Sequence, residues 1–203
     1  HFWEWFQRGQ SGAVCRSFRF PTSSNPRIST AFLQLQRQLL TERQFAIEYE
    51  AQFVDDAGAV FPQAVIEACV QPSLSDTRPE SAPTVAGLDW GRYHDFTALV
   101  VLRESDGRLQ AVHVERLPGT AWQVQIDRLM QRLSAWRART VCCDATGVGD
   151  PLAEMLQQRL GDNRTGIRVE PVVFTASTKR TMIESLALAM EQGRVAIPPH
   201  PDL

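Results

Sequence analysis

Two apolar runs in this 203-residue chain each end in an aspartate that is followed by a glycine-containing turn. The first run ends at Asp89 in the string Gly-Leu-Asp-Trp-Gly, and the second ends at Asp144 in the string Cys-Asp-Ala-Thr-Gly. Short apolar runs bounded by turn residues are typical of buried strands. Because open α/β sheets bind their ligands at the carboxyl ends of strands, the two aspartates indicate a binding site at one edge of a sheet.

The residues around Asp89 predict open space beside its carboxylate. Side chains alternate between the two faces of a strand, so Gly87, Asp89 and Gly91 share one face. Two glycines there leave room for a hydrated metal ion, a phosphate or a nucleic-acid backbone. An alternative stays open at both acids, because Asp and Gly also supply ordinary turn geometry and Asp144 could cap the following helix.

The order of the remaining patterns predicts an α/β fold with a mixed sheet. Three strands follow one another, and the Asp106-Gly107 pair between the second and third indicates a hairpin. Helices then alternate with strands. The predicted strands are residues 84–90, 97–103, 108–116, 140–144, 168–173 and 195–197, and the predicted helices are residues 120–136, 150–160 and 178–192.

The first part of the chain is less regular. An aromatic cluster opens it, residues 13–20 have a strand-like pattern, and residues 29–49 are predicted to form one helix. Residues 71–83 hold several prolines and serines and indicate a linker or a surface loop. The longest apolar run is shorter than the ~20 residues of a membrane span.

Several strings occur in an order that resembles the large terminase subunit of tailed bacteriophages. They are Gly-Leu-Asp-Trp-Gly-Arg with a later Asp-Phe-Thr-Ala, Cys-Asp-Ala-Thr-Gly-Val-Gly-Asp, and Ser-Thr-Lys with a later Gly-Arg-Val-Ala-Ile-Pro. The strings Asn-Pro-Arg-Ile at residues 25–28, Phe-Ala-Ile-Glu-Tyr-Glu at residues 45–50 and Phe-Val-Asp-Asp-Ala-Gly-Ala-Val-Phe at residues 53–61 are similar to the stretch that joins the packaging ATPase to the nuclease. The resemblance thus covers nearly the whole chain. It implies a ribonuclease-H-like nuclease domain, a mixed sheet flanked by helices, preceded by a partial ATPase-domain segment. Residues 1–50 would be the end of the packaging ATPase domain, residues 51–83 a junction, and residues 84–203 a nuclease domain that is incomplete at its C-terminus.

The same resemblance implies a Mg²⁺- or Mn²⁺-dependent endonuclease with a two-metal site. Asp89 would bridge both ions, Asp144 would complete one coordination shell, and Asp95 would lie beside the site, although Asp95 is equally suited to a turn. The family carries a third acid on a helix beyond the strand at 195–197, so we expect that ligand beyond Leu203 and little or no cleavage by these 203 residues alone. No glycine-rich phosphate loop is present, so ATP binding would belong to the absent part of the ATPase domain.

The expected partners follow from the same source. Double-stranded DNA would be the substrate, with Arg92, Lys179 and Arg180 as contacts to the backbone, and a net charge of −2 requires such cations to be clustered locally. The portal and the small terminase subunit would be protein partners in the host cytoplasm, with no role for a membrane. Two other interpretations remain: a Holliday-junction resolvase of the same fold, and a docking module whose acids only shape turns.

The four cysteines, Cys15, Cys69, Cys142 and Cys143, lack zinc-site spacing. Cys142 and Cys143 are adjacent on a predicted strand and should therefore point to opposite faces. We expect both to be reduced core residues.

Overall fold

The computed structural model describes residues 2–12, 15–53, 60–76, 82–91 and 95–200. The chain divides into two compact units, His1–Pro62 and Gln63–Leu203. In the described part of the chain, none of the helices combines the length and the apolar character that crossing a membrane requires.

Within its described residues, the first unit contains three α-helices, α1 (Phe2–Ser11), α2 (Thr30–Leu39) and α3 (Glu42–Glu48). The prediction of one helix over residues 29–49 is therefore wrong. Leu40 is extended, and Thr41 begins a new helix as the N-cap of a capping box with Gln44. The Thr41 hydroxyl accepts from the Gln44 backbone N–H while the Gln44 side chain accepts from the Thr41 N–H, and this local pairing replaces helix continuation.

The strand predicted over residues 13–20 is also wrong for the residues that the structure describes. Residues 15–20 have no regular secondary structure, and residues 13 and 14 lie outside the described residues. Phe18 and Phe20 are 68% and 72% exposed and stack on each other with ring centroids 6.1 Å apart. An alternating pattern gives a strand only where a neighbouring strand can pair with it.

The second unit is built on one six-stranded sheet with the order β5-β4-β1-β2-β3-β6. Strands β1, β2 and β3 pair antiparallel, whereas the pairs β1–β4, β4–β5 and β3–β6 are parallel. The prediction of an α/β fold with a mixed sheet flanked by helices is confirmed. In chain order the elements are α4 (Gln63–Cys69), β1 (Thr84–Asp89), β2 (Thr97–Ser105), β3 (Arg108–Leu117), α5 (Trp122–Ala135), β4 (Ala138–Asp144), α6 (Gly149–Asp162), β5 (Arg168–Val172), α7 (Ala176–Glu191) and β6 (Val195–Ala196).

One face of the sheet packs against α5 and α6 and forms the main core. Fully buried leucines from both helices meet fully buried residues of the central strands. They include Leu99, Val101, Val141, Leu129, Leu133 and Leu156, each at 0% exposure. The alternate residues of the strands are far more open, since Val85 is 43% exposed and Cys142 is also exposed. The site described below lies on this open face.

The cysteines divide between the two faces as their alternation predicts. Cys143 is buried in the core, and burial raises the pKa of its thiol to about 11, with Cys142 and Asp144 adding to the rise. Cys142 lies on the open face, so the prediction that it belongs to the core is wrong. All four cysteines are free thiols.

A β-bulge changes the register between β2 and β3. Ser105 pairs with Arg108 and Leu102 with Ala111, but Val101 pairs with His113, so that Val112 is an extra residue of β3. Ala111 and Val112 are consecutive and both buried, at 2% and 5% exposure. A bulge moves every later residue of its strand to the opposite face. Beyond it Glu115 faces α5, whereas Arg116 pairs with Ala98 on the open face.

Part of the predicted junction belongs to the second unit. Helix α4 is followed by a bridge between Val70 and Ile197, and the N–H of Gln71 donates to the Ile197 carbonyl at 2.8 Å. The Ile197 N–H in turn donates to the Cys69 carbonyl at 2.9 Å. Residues 72–76 then form a short 3₁₀ helix, in the stretch interpreted above as a linker. The assignment of residues 1–50 to an ATPase domain stays a prediction.

Glu115 of β3 fastens this strand to α5 through Arg128 and Arg132, and His113 of β3 contacts the same carboxylate. Its carboxylate lies 2.6 Å from Arg132 Nε, 2.7 Å from Arg128 Nη2 and 3.1 Å from His113 Nε2, and the Glu115 side chain is only 12% exposed. Burial alone would raise the pKa of Glu115. The hydrogen bonds from Arg132, His113 and Arg128 outweigh burial and lower this pKa from 4.5 to about 2.

We expect Glu115→Gln to lower the free energy of unfolding at neutral pH by about 1–3 kcal/mol, because charge-assisted hydrogen bonds are lost. A folded-state pKa below the unfolded one stabilises the protein above the unfolded pKa, and this stabilisation is lost as the pH falls from 4.5 towards about 2. Urea unfolding of both proteins across this pH range measures the effect. Glu154→Gln on the exposed side of α6 is the control. If the difference in free energy of unfolding between the wild type and Glu115→Gln stays constant down to the lowest pH, the expectation is contradicted.

Candidate functional site

Asp89 and Asp144 end two neighbouring parallel strands. The register of β1 and β4 pairs Gly87 with Cys142 and Leu88 with Cys143, and both strands end at the next residue. Adjacent strands lie about 5 Å apart. Residues that continue the same register share a face, so both aspartates lie on the open side of the sheet. The first and fourth strands of the sheet are thus neighbours, and their ends bring the two aspartates side by side.

The site concentrates negative charge. Burial raises the pKa of Asp89, and the charges of Asp144 and then Asp95 raise it further. Lys179 opposes these effects, as does the backbone N–H of Trp90. Three acids and one lysine therefore lie close enough to influence a single carboxylate. Carboxylates that repel one another are a suitable environment for a cation.

Helix capping does not explain Asp144. The N-cap of α6 is Val148, which makes no side-chain capping bond, so the Asp144 side chain does not cap this helix. The Asp144 carboxylate instead accepts a hydrogen bond of 2.8 Å from the backbone N–H of Thr146. Gly149 has a structural role, because a Cβ there would lie 2.2 Å from the Asp144 carbonyl oxygen.

The two glycines beside Asp89 have different roles. A Cβ at Gly87 would meet nothing within 4 Å, which agrees with the predicted open space. At Gly91 a Cβ would lie 2.3 Å from the Phe96 backbone, so the prediction of ligand space at Gly91 is wrong. The Gly91 N–H donates to the buried Thr97 hydroxyl at 2.9 Å, and this hydroxyl lies 2.5 Å from Gln125 Oε1. These bonds fix the end of β1 against the start of β2.

Asp95 stands at the entrance to β2 and is exposed. One of its carboxylate oxygens accepts from the Phe96 N–H at 2.8 Å, which is an ordinary turn contact. The same acid contributes to the raised pKa of Asp89. The structure therefore brings Asp95 to the acid pair while leaving its carboxylate in a turn.

Thr146 joins the loop that follows Asp144 to the loop that precedes α7. Its backbone N–H donates to Asp144, and its hydroxyl oxygen accepts from the Phe174 N–H at 2.9 Å. Lys179, in the first turn of α7, lies 5.4 Å from the centroid of the Phe174 ring. One threonine thus connects an acid of the site with the segment that supplies its lysine. Sequence reasoning missed Thr146, although it lies two residues after Asp144.

Residues 86–202 match the family described as "Terminase RNaseH-like domain". The chain belongs to this family. The large terminase subunit of Thermus virus P23-45 is 31% identical over 170 residues, which is 80% of this chain and 33% of that protein. The chain thus spans about a third of the length of the curated relatives it matches.

Solved structures agree with the membership in the terminase family. The large terminase nuclease of thermophilic phage G20c with bound magnesium has a TM-score of 0.57 and 25% identity, covering 73% of this chain and 78% of that one. The large terminase of another thermophilic bacteriophage has a TM-score of 0.65 at 14% identity, covering 98% of this chain and 48% of that one. The second likeness shows the fold alone. The family places the chain with terminases rather than with Holliday-junction resolvases.

The cations predicted for this terminase domain have different outcomes. Lys179 lies near Asp89, as its effect on the Asp89 pKa shows. Arg180 is the next residue of α7 and is exposed. Arg92 lies outside the described residues. The DNA-binding role of all three stays a prediction.

The donor set fits a hard divalent cation in part. Carboxylate oxygens are the preferred ligands of Mg²⁺, which is often held by one or two carboxylates while it keeps several waters. Within the described ranges, no three His, Cys, Asp or Glu side chains lie close enough together to hold a metal. The role of Asp89 and Asp144 as metal ligands stays a prediction.

We expect Thr146→Val to loosen the segment before α7, because valine keeps the shape but cannot accept from the Phe174 N–H. Amide hydrogen exchange at Phe174 should accelerate about fivefold to tenfold, which corresponds to the loss of one hydrogen bond. Thr146→Ser retains the acceptor and is the control. Equal exchange rates in the valine and serine variants would show that the contact does not order this loop.

Proposed function

We propose that this chain is the nuclease part of a phage DNA-packaging terminase large subunit, a Mg²⁺- or Mn²⁺-dependent endonuclease that cuts double-stranded concatemeric DNA. The observation that carries the proposal is the parallel pairing that brings Asp89 and Asp144 side by side on the open face. Membership in the terminase family supports it. So do the structures of the related nuclease from phage G20c with magnesium, zinc or cobalt bound.

Asp89 and Asp144 would hold the metal ions, with Asp89 shared between two of them. Bound ions of this type activate a water molecule and stabilise the charge on the leaving oxygen of a phosphodiester. The role of Asp89 depends on keeping its carboxylate ionised despite Asp144 and Asp95, and Lys179 favours the ionised form. Asp95 would add negative charge beside the pair. Lys179 and Arg180 would contact the DNA backbone, with little reading of base sequence.

The wider assembly follows from the relatives' names and length. We propose that the first unit corresponds to the end of a packaging ATPase domain and that ATP acts only through the remainder of such a domain. The portal and the small terminase subunit would be partners, in the cytoplasm of the bacterial host. The one alternative with a different outcome is a docking module, in which the acids bind no metal.

We expect Asp89→Asn and Asp144→Asn each to reduce Mn²⁺-dependent plasmid nicking at least about 100-fold, since even partners of metal ligands cost 10–100-fold when lost. Asp162→Asn, an exposed acid at the far end of α6, should retain the wild-type rate. Because only two carboxylates are assigned to the metal, the wild-type chain itself should cleave slowly, and the assay needs long incubations. A full-length relative serves as the positive control.

Calorimetric titration with Mn²⁺ separates a nuclease site from a docking module. The wild-type chain should bind Mn²⁺ weakly and Asp89→Asn should not bind it. Because removing one charge relieves repulsion between the acids, the melting temperature of Asp89→Asn should equal or exceed that of the wild type. A wild-type chain that binds no Mn²⁺, or a variant that keeps binding it, would exclude the proposed site.

A further inference from the structure

Arg116 lies in line with the two acids on the open face of the sheet. Asp89 pairs with Ala98 across β1 and β2, and Ala98 pairs with Arg116 across β2 and β3. Directly opposed residues share a face. Asp144, Asp89, Ala98 and Arg116 therefore form one row across four neighbouring strands. Two strand spacings place the Arg116 backbone about 10 Å from that of Asp89.

The side chain of Arg116 is held towards the site. Its guanidinium carbon lies 4.1 Å from the centroid of the Phe96 ring. Phe96 is 42% exposed and directly follows Asp95, the acid that contributes to the raised pKa of Asp89. A guanidinium stacked on an aromatic ring keeps its N–H donors at the edge of its plane, where they can meet a phosphate. Arg116 itself remains exposed.

Two basic side chains from different elements lie near the row, Lys179 of α7 and Arg116 of β3. Lys179 of α7 lies 5.4 Å from the Phe174 ring, and the Phe174 N–H is bonded to Thr146, which directly follows the end of β4 and Ala145. Arg116 stands on the β3 side of the sheet. A strand of duplex DNA carries a phosphate about every 3.4 Å along its axis. A backbone that crosses the acid pair therefore has further phosphates at the distance of Arg116.

We propose that Arg116, supported by Phe96, binds a further backbone phosphate of the same DNA strand that is held at Asp89 and Asp144. This inference rests on the proposed nuclease function and adds the direction of the DNA, across the strands from β4 towards β3. Arginine suits the role because its planar fork matches two phosphate oxygens. Arg116 would position the substrate and take no part in proton or metal chemistry.

The test measures the affinity of the 203-residue chain for a short fluorescent duplex, with Mg²⁺ present, between about 50 and 200 mM salt. Arg116→Gln should weaken binding about tenfold and reduce the slope of log Kd against log salt by about 0.9, the value for one lost phosphate contact. Arg116→Lys keeps the charge and should keep most of the slope. Arg139→Gln is the matched control, since Arg139 is exposed at the opposite end of β4 from Asp144.

The inference is overturned if Arg116→Gln has the same slope of log Kd against log salt as the wild type. It is also overturned if Arg139→Gln loses as much affinity and slope as Arg116→Gln. Should Arg116→Gln prove unfolded in a thermal melt, Phe96→Leu decides: binding about twofold to fivefold weaker at unchanged slope supports the inference, and unchanged binding overturns it. A wild-type chain that binds no duplex overturns both this inference and the nuclease proposal. If Arg116→Gln reduces the slope of log Kd against log salt while Asp89→Asn still cleaves DNA, the contact between Arg116 and the DNA stands. Only the assignment of the metal to Asp89 is then overturned.

Discussion

The parallel pairing of β1 with β4 is the contact on which the rest of the site depends. Leu88 and Cys143 are paired and buried at 5% and 1% exposure, one residue before the two strands end. A slip of one residue would turn Leu88 out to water and Asp89 into the core. Core packing therefore enforces the position of two carboxylates that repel each other. The fold provides the energy that holds like charges together.

Sequence patterns located the elements of the second unit from β1 onwards closely, because these have a strong period and clear turn residues, whereas helix α4 was not predicted. Strand β1, for instance, was predicted at 84–90 and observed at Thr84–Asp89. The first unit was harder to predict. A local capping box at Thr41 divided one predicted helix, and residues 15–20 lacked a strand partner. Where a helix ends depends on local hydrogen bonds, and whether a strand forms depends on a neighbouring strand. The spacing of hydrophobic residues along the sequence gives information on neither.

The candidate site shows the same division. Both strand-end acids could be found from sequence, because an Asp that ends an apolar run and precedes a glycine-containing turn is a local signal. The joining role of Thr146 and the alignment of Arg116 could not, since each depends on a contact between distant segments. Counting back from the Asp106-Gly107 turn without a bulge would pair Ala98 with Glu115 and give the wrong face. The extra residue at Val112 carries no clear mark in the sequence.

That extra residue has a consequence for how relatives of this chain can vary. Glu115 and Arg116 are neighbours of opposite charge, and one serves the helix side of the sheet while the other stands on the open side. Loss of one residue at Val112 would exchange the faces of Glu115 and Arg116. Glu115 would then join the row that contains Asp144 and Asp89, and Arg116 would face Arg128 and Arg132. Insertions and deletions in this hairpin are thus coupled to charge. A lineage could shorten β3 only by exchanging these two residues as well.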